Sequence, residues 1–323
     1  MTLGGVGFPS VVRCEGAPRD LGLDQGEACA AALRISLDAL KGPASPRPLE
    51  RDLRRHFPQL AERLEGMARG GRLPARILLR ALARELGSVR QHEHPATRAG
   101  ALWGFAATWT GGGATLAWAA RGADLPWQVR RSQPENGLAS LEIVVPWLPG
   151  GVAGVNAAGL AVACTTLEAA VAPQPCAAPA FLLVQECLQR FESVEGAEEW
   201  CLHRPAGGRA TILIADALGG LVGVEVVGAE RERLVAQNGI LASPDAPVHR
   251  PQIAAKAMAT PGLDRPARLA LLLQHLRAEE LLPGSPRAEP KVAAVALDAE
   301  ERRLWVVGGQ EPARALEVAP RPL

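Results

Sequence analysis

Ala101-Leu102-Trp103-Gly104-Phe105-Ala106-Ala107-Thr108-Trp109-Thr110-Gly111-Gly112-Gly113-Ala114-Thr115-Leu116-Ala117-Trp118-Ala119-Ala120-Arg121-Gly122-Ala123-Asp124 is the stretch whose conformation decides the fold. No charge interrupts it before Arg121, yet three consecutive glycines cut it into two pieces of strand length. A single helix would have to carry Gly111-Gly112-Gly113 at its centre, where each glycine costs about 1 kcal/mol relative to alanine. Two apolar strands joined by the glycines make a hairpin instead. The same reasoning removes a membrane span. Ala99–Ala120 and Ile143–Leu167 approach spanning length, but the second carries Pro146, Pro149, Gly150, Gly151 and Asn156. Such breakers leave strand-length pieces, and an apolar strand covered on both faces reads as an unbroken apolar run.

Working outward, a first strand ends near Cys14 and turns through Gly16-Ala17-Pro18. One helix is expected from Asp20 to Leu40, with Leu21, Ala28, Ala32 and Ile35 on its apolar side. Lys41–Pro48 reads as a linker, and Leu49–Leu86 as two or three helices broken at Gly70-Gly71 and Pro74. Downstream of the hairpin, strands are expected over Leu141–Pro146, Val152–Val155 and Leu160–Thr165. Helices follow at Pro179–Arg190 and Val194–His203, then a hairpin from Ala210–Asp216 and Gly220–Val227. A helix over Pro266–Glu280 and a hairpin from Val292–Leu297 and Leu304–Val307 close the chain. Helices first, then strand pairs with helices among them, predict one layered α/β (α+β) domain over residues 1–323. Consecutive hairpins predict antiparallel sheets and argue against a parallel nucleotide-binding fold.

Composition narrows the function. Lys plus Arg number 35 against 34 Asp plus Glu, a net charge of +1. That balance gives no footprint for nucleic acid or an anionic membrane. No Gly-x-Gly-x-x-Gly opens a helix after a strand and no Walker-type loop is present, so no cofactor is expected. The six cysteines show no CxxC spacing, and Met1–Val12 has no basic stretch followed by an apolar one. Cytoplasmic residence with reduced thiols is the expectation. His92-Glu93-His94, followed by Pro95, lacks a third ligand at helical spacing and reads as a solvated loop; no metal site is expected.

Four segments resemble one family, the acyl-coenzyme A:6-aminopenicillanate acyltransferase-like proteins (peptidase family C45). Gly16-Ala17-Pro18 through Gly22 and Gly26 is similar to the family's Gly-x-Pro-x-x-x-Gly-x-x-x-Gly element. Leu64-Glu65-Gly66-Met67-Ala68-Arg69-Gly70-Gly71 resembles its glycine-rich helical turn. Gly154-Val155-Asn156-Ala157-Ala158-Gly159-Leu160 is similar to its Gly-x-Asn-x-x-Gly-Leu strand pair. Val295–Asp298 with Leu304–Gly309 resembles its closing hairpin. The resemblance implies an N-terminal-nucleophile hydrolase fold, a four-layer αββα sandwich, with residues 1–101 as a pro-segment-like helical part and 102–323 as the core. It also implies acyl transfer or hydrolysis at non-peptide amide bonds, with a small amide or acyl compound as ligand.

Members of that family cleave themselves before a Cys, which then supplies both the thiol nucleophile and an α-amine base. Phe105-Ala106-Ala107-Thr108 matches the first strand of the family's hairpin, and Arg121-Gly122-Ala123-Asp124 the end of its second. Counting back from Phe105, the nucleophile position falls on Leu102, preceded by Ala101 instead of Gly. Leucine offers no heteroatom, so neither self-cleavage nor acyl-enzyme formation can begin there. Trp103 is expected to fill the space beside it that a substrate would need, and Trp103 and Phe105 are the candidate binding residues. The resemblance assigns Arg121 and Asp124 to orienting the amine and contacting substrate, Asn156 to an oxyanion hole, and Asn238 to the surviving Asn of a His-Thr-Asn-His element. Each has a plainer reading: an ion pair for Arg121 and Asp124, a turn for Asn156, and a turn for Asn238-Gly239. Asp216 and Glu225 match a further element and read as structural. The expectation is an unprocessed, intact chain that binds a ligand, a protein partner or a second copy of itself. The alternative is an active amidase or acyltransferase using another nucleophile, with Cys164 as candidate, or an activated water.

Overall fold

The computed structural model describes residues 11–39, 47–87, 102–108, 113–120, 127–166, 176, 178–243, 264, 267, 269, 272, 273, 293–307 and 314–318. Its N-terminal part runs β1 (Val11–Gly16), α1 (Pro18–Ala28), α2 (Ala30–Ala39), α3 (Arg47–His56), α4 (Pro58–Gly70) and α5 (Ala75–Gly87). The central hairpin is β2 (Leu102–Thr108) with β3 (Ala114–Ala120). Then come β4 (Gln128–Pro134), β5 (Ser140–Val144), β6 (Ala153–Asn156), β7 (Leu160–Thr166), α6 (Leu182–Arg190) and α7 (Val194–His203). The chain continues through β8 (Arg209–Asp216), β9 (Leu221–Val227), β10 (Glu230–Val235), β11 (Ile240–Ala242), β12 (Ala293–Asp298), β13 (Arg303–Val307) and β14 (Arg314–Glu317).

Two sheets stack face to face, giving the α+β class expected from the sequence. The eight-stranded sheet has the order β1-β4-β5-β6-β7-β8-β9-β10, and the six-stranded sheet the order β11-β2-β3-β12-β13-β14. Strands β2 and β3 lie across β7 and β8, while α1, α6 and α7 pack on the eight-stranded sheet. Covered on both sides, β8 is buried along all but its first residue, which is why Ala210–Ala215 reads as a nearly continuous apolar run, and β5 is buried along its whole length although it carries Ser140 and Glu142. Among the described pairs, β1 with β4 is parallel and the rest are antiparallel. That one exception is possible because α1, α2 and the rest of the N-terminal helices separate the two strands in sequence. No helix of the described residues is long and apolar enough to cross a membrane.

The helix expected from Asp20 to Leu40 is two helices, broken at Cys29. There the backbone leaves helical geometry (φ −101°, ψ 6°) and the buried thiol donates to Gln128 Oε1 at 2.8 Å. Pro18 and Pro58 each open a helix in its first turn, where a missing N–H costs nothing. Helices α1 and α4 then meet along glycines, Gly22 and Gly26 against the backbone of α4 and Gly66 and Gly70 against that of α1. Of the helix expected over Pro266–Glu280, the described residues Leu269, Leu272 and Leu273 are helical and buried at i, i+3, i+4 spacing.

Candidate functional site

The register of the central hairpin divides the expected site residues between two ends of the molecule. Leu102 opens β2 and pairs with Ala120, the residue before Arg121, whereas Thr108 pairs with Ala114 at the other end. Six residues at about 3.3 Å each put these ends about 20 Å apart. The turns bearing the two asparagines lie at the Thr108 end. The Thr108 amide donates to Gly239 O at 3.0 Å, beside Asn238. Gly159, in the turn after Asn156, abuts the Ala299 carbonyl, and the Ala299 amide donates to Ala114 O. Neither asparagine is therefore brought to Leu102. Arg121, Asp124 and His92-Glu93-His94 lie outside the described residues, as do the side chains of Leu102, Trp103 and Phe105.

Asn156 is fully buried and its amide is saturated. Its Oδ1 accepts from the Ala158 amide (3.1 Å) and the Leu160 amide (2.9 Å), closing the β6–β7 turn. Its Nδ2 donates to Leu188 O (3.0 Å) and Phe191 O (2.8 Å), tying that turn to the end of α6. No donor is left over for an oxyanion. Asn238 is exposed, with φ 52°, and Gly239 follows at φ 73°, the pair of left-handed residues that a tight turn requires. Asp216 Oδ1 accepts from the amides of Leu218 (3.0 Å) and Gly220 (2.8 Å), and Oδ2 from that of Val194 at the start of α7 (3.1 Å). Glu225 lies 3.5 Å from Arg209 Nη2. Cys164 is buried in β7; its carbonyl accepts from Trp118 Nε1 at 2.9 Å, and burial pushes its thiol far above the ordinary range. A neutral, enclosed thiol is a poor nucleophile.

What sequence reasoning missed is a buried polar cluster between the N-terminal helices and the eight-stranded sheet. Arg130 and Ser132 on β4 stand opposite Glu142 and Ser140 on β5, so strand alternation points all four toward one face. There they meet Gln25 from α1, Arg63 from α4 and Gln185 from α6, every one buried. Glu142 accepts from Arg130 Nε (2.5 Å), Ser132 Oγ (2.9 Å), Ser140 Oγ (2.5 Å) and Gln185 Nε2 (2.7 Å). Arg130 also donates to Gln25 Oε1 (2.6 Å) and Gln185 Oε1 (2.5 Å). Burial acts to raise the Glu142 pKa, but the two arginines and the Ser140 and Gln185 hydrogen bonds outweigh it and hold the carboxyl below its ordinary range. Arg63 donates to Ser132 Oγ (2.9 Å), while its Nε and Nη1 find no acceptor; burial pushes its pKa down to about 10. With its carboxylate saturated and no member exposed, this cluster fastens helices to a sheet and offers nothing to a substrate. Among the described residues no group of three or more His, Cys, Asp or Glu is placed to hold a metal.

No protein-family model matches the sequence, and no curated protein matches it. Solved structures do show similarity. A mutant of conjugated bile acid hydrolase from Clostridium perfringens is 14% identical over 67% of this chain and 92% of its own, with a TM-score of 0.41. Penicillin V acylase from Agrobacterium tumefaciens is 13% identical over 67% of this chain and 86% of its own, with a TM-score of 0.41. An N-acylethanolamine-hydrolyzing acid amidase ortholog from Caenorhabditis elegans is 10% identical over 61% of this chain and 93% of its own, with a TM-score of 0.43.

Proposed function

We propose that this chain keeps the scaffold of an N-terminal-nucleophile amidase of the C45 acyltransferase-like kind but not its chemistry. It works as one uncut polypeptide that binds a small acyl or amide ligand, or a protein partner, in the cytoplasm. The observation that carries this reading is Leu102, an aliphatic residue at the first position of β2, where the resembled family requires a sulfur nucleophile. Three further observations support it. Cys164, the alternative nucleophile, is enclosed and neutral, and the Asn156 amide has no free donor. The N-terminal helices are also fastened to the core through Gln25 and Arg63, so the part that would be a pro-segment is built in.

Intact-mass measurement of the purified protein tests the first half of the proposal. One species near 33.9 kDa is expected. Two fragments breaking between Ala101 and Leu102 would overturn it. Incubation with simple N-acyl amides tests the second half: a raised melting temperature without release of amine is expected, whereas turnover, or acyl labelling of Cys164 that disappears in Cys164→Ala, establishes the active alternative.

A further inference from the structure

Cys187 on α6 and Cys201 on α7 are both fully buried, and their sulfurs stand 3.5 Å apart. Cys187 Sγ also lies 3.9 Å from the Ala197 carbonyl; Cys29 meets Gln128, Cys164 the Thr165 carbonyl and Cys176 the Pro205 carbonyl. The two helices are joined by only Phe191, Glu192 and Ser193, which keeps them adjacent. A disulfide needs a sulfur separation of about 2.05 Å. The two sulfurs therefore stand about 1.5 Å short of bonding distance.

We propose that Cys187 and Cys201 are an oxidisable dithiol that hydrogen peroxide closes into a disulfide bridging α6 and α7. One thiol, as its thiolate, attacks peroxide and becomes a sulfenic acid, its proton and the displaced hydroxide leaving as water. The second sulfur then attacks the sulfenic sulfur, forming the S–S bond and releasing a second water. Two thiols are oxidised and one peroxide is reduced to two waters. The Cys187 thiol is held above its ordinary range by its hydrogen bond to Cys201 and by burial, so little of it is thiolate and attack on peroxide from Cys187 is slow. Closure would tie together two helices that the sheet already uses. Helix α6 receives Asn156 at the carbonyls of Leu188 and Phe191, and α7 begins on Asp216. This inference is independent of the amidase reading.

Folded protein treated with hydrogen peroxide, then alkylated in denaturant, tests it. Wild type is expected to lose two of its six thiols and become about 2 Da lighter, with a higher melting temperature that dithiothreitol reverses. Proteolysis after Arg190 should leave the Cys187 and Cys201 peptides linked. Cys187→Ala and Cys201→Ala, each alone, should abolish the linkage and the shift. Recovery of both residues from wild type as free thiols, or as separate sulfinic acids, overturns the proposal. So does a bridge through Cys164.

Discussion

Gly22 of α1 presses on the carbonyl oxygen of Arg63 in α4: a Cβ placed on Gly22 would come within 1.9 Å of it. Gly66 meets the Arg19 carbonyl in the same way at 2.0 Å, and Gly26 and Gly70 repeat the contact one turn along at 2.3 and 2.2 Å. Backbone atoms cannot swing aside as a side-chain tip can, so the two helices approach this closely only while all four positions lack a Cβ.

Gly22→Ala and Gly66→Ala are therefore each expected to cost about 3 kcal/mol or more, at the upper end of overpacking effects. Arg69→Ala, on the exposed side of α4, should stay within about 0.5 kcal/mol. Urea denaturation read by circular dichroism checks the contrast. Equal effects at the three positions would mean that the helices do not touch along their glycines.

These glycines are legible in the sequence as two Gly-x-x-x-Gly patterns, though their mutual contact is not, since no local rule says which helix lies on which. The β2–β3 hairpin is legible because Gly111-Gly112-Gly113 separates two apolar runs. Strand β4 is not. Gln128-Val129-Arg130-Arg131-Ser132-Gln133-Pro134 looks too polar for an interior strand, and it is the Glu142 cluster beneath α1, α4 and α6 that makes Arg130 and Ser132 buriable, as the Cys29 thiol does Gln128. The candidate site is hidden for a different reason. Asn156 and Asn238 do lie at turns, as their sequence context suggests, but the end of the sheet at which each turn lies depends on strand register across about 20 Å, which spacing in sequence does not encode.

Breaking the Glu142–Arg130 pair should be costly. Glu142→Gln leaves two buried guanidiniums without a counter-charge, and Arg130→Met leaves the carboxylate facing only neutral donors and the poorly paired Arg63. Each is expected to cost about 3–5 kcal/mol. The effect also depends on pH. Because the folded-state pKa of Glu142 lies below the ordinary glutamate value, its contribution is fully present above about pH 4.3 and is lost as the pH falls through the folded value. The stability gap between wild type and Glu142→Gln should thus be constant from neutral pH down to about 5 and narrow below that. A gap that widened with acid would contradict the assignment.

Arg63 should behave unlike Arg130, although both are buried arginines in one cluster. Burial without acceptors for Nε and Nη1 makes the Arg63 charge expensive, as its lowered pKa of about 10 indicates. Arg63→Met keeps most of the volume and removes the desolvated cation, at the loss of one hydrogen bond to Ser132 and some attraction to Glu142. The expected change is within about 1 kcal/mol of wild type, in either direction. Parallel thermal melts of Arg63→Met and Arg130→Met test this. Equal, large losses would show that Arg63 is a full partner of Glu142.

Asn156 separates a structural role from a catalytic one. Its side chain fills four hydrogen bonds, two closing the β6–β7 turn and two reaching the end of α6. Asn156→Ala strands the buried Leu160 amide and Leu188 carbonyl and the half-buried Ala158 amide and Phe191 carbonyl, an expected loss of about 2–4 kcal/mol. Asn156→Asp keeps the acceptor that the Ala158 and Leu160 amides need but sets a second carboxylate oxygen against the Leu188 and Phe191 carbonyls. It should therefore be at least as destabilising as alanine near neutral pH. That penalty should shrink in acid, because a protonated carboxyl can again donate to one of the two carbonyls. A catalytic asparagine held loosely in a pocket would show the opposite pattern, with both variants near wild-type stability. Chemical denaturation of the two variants at neutral and acidic pH distinguishes the cases without any knowledge of a substrate.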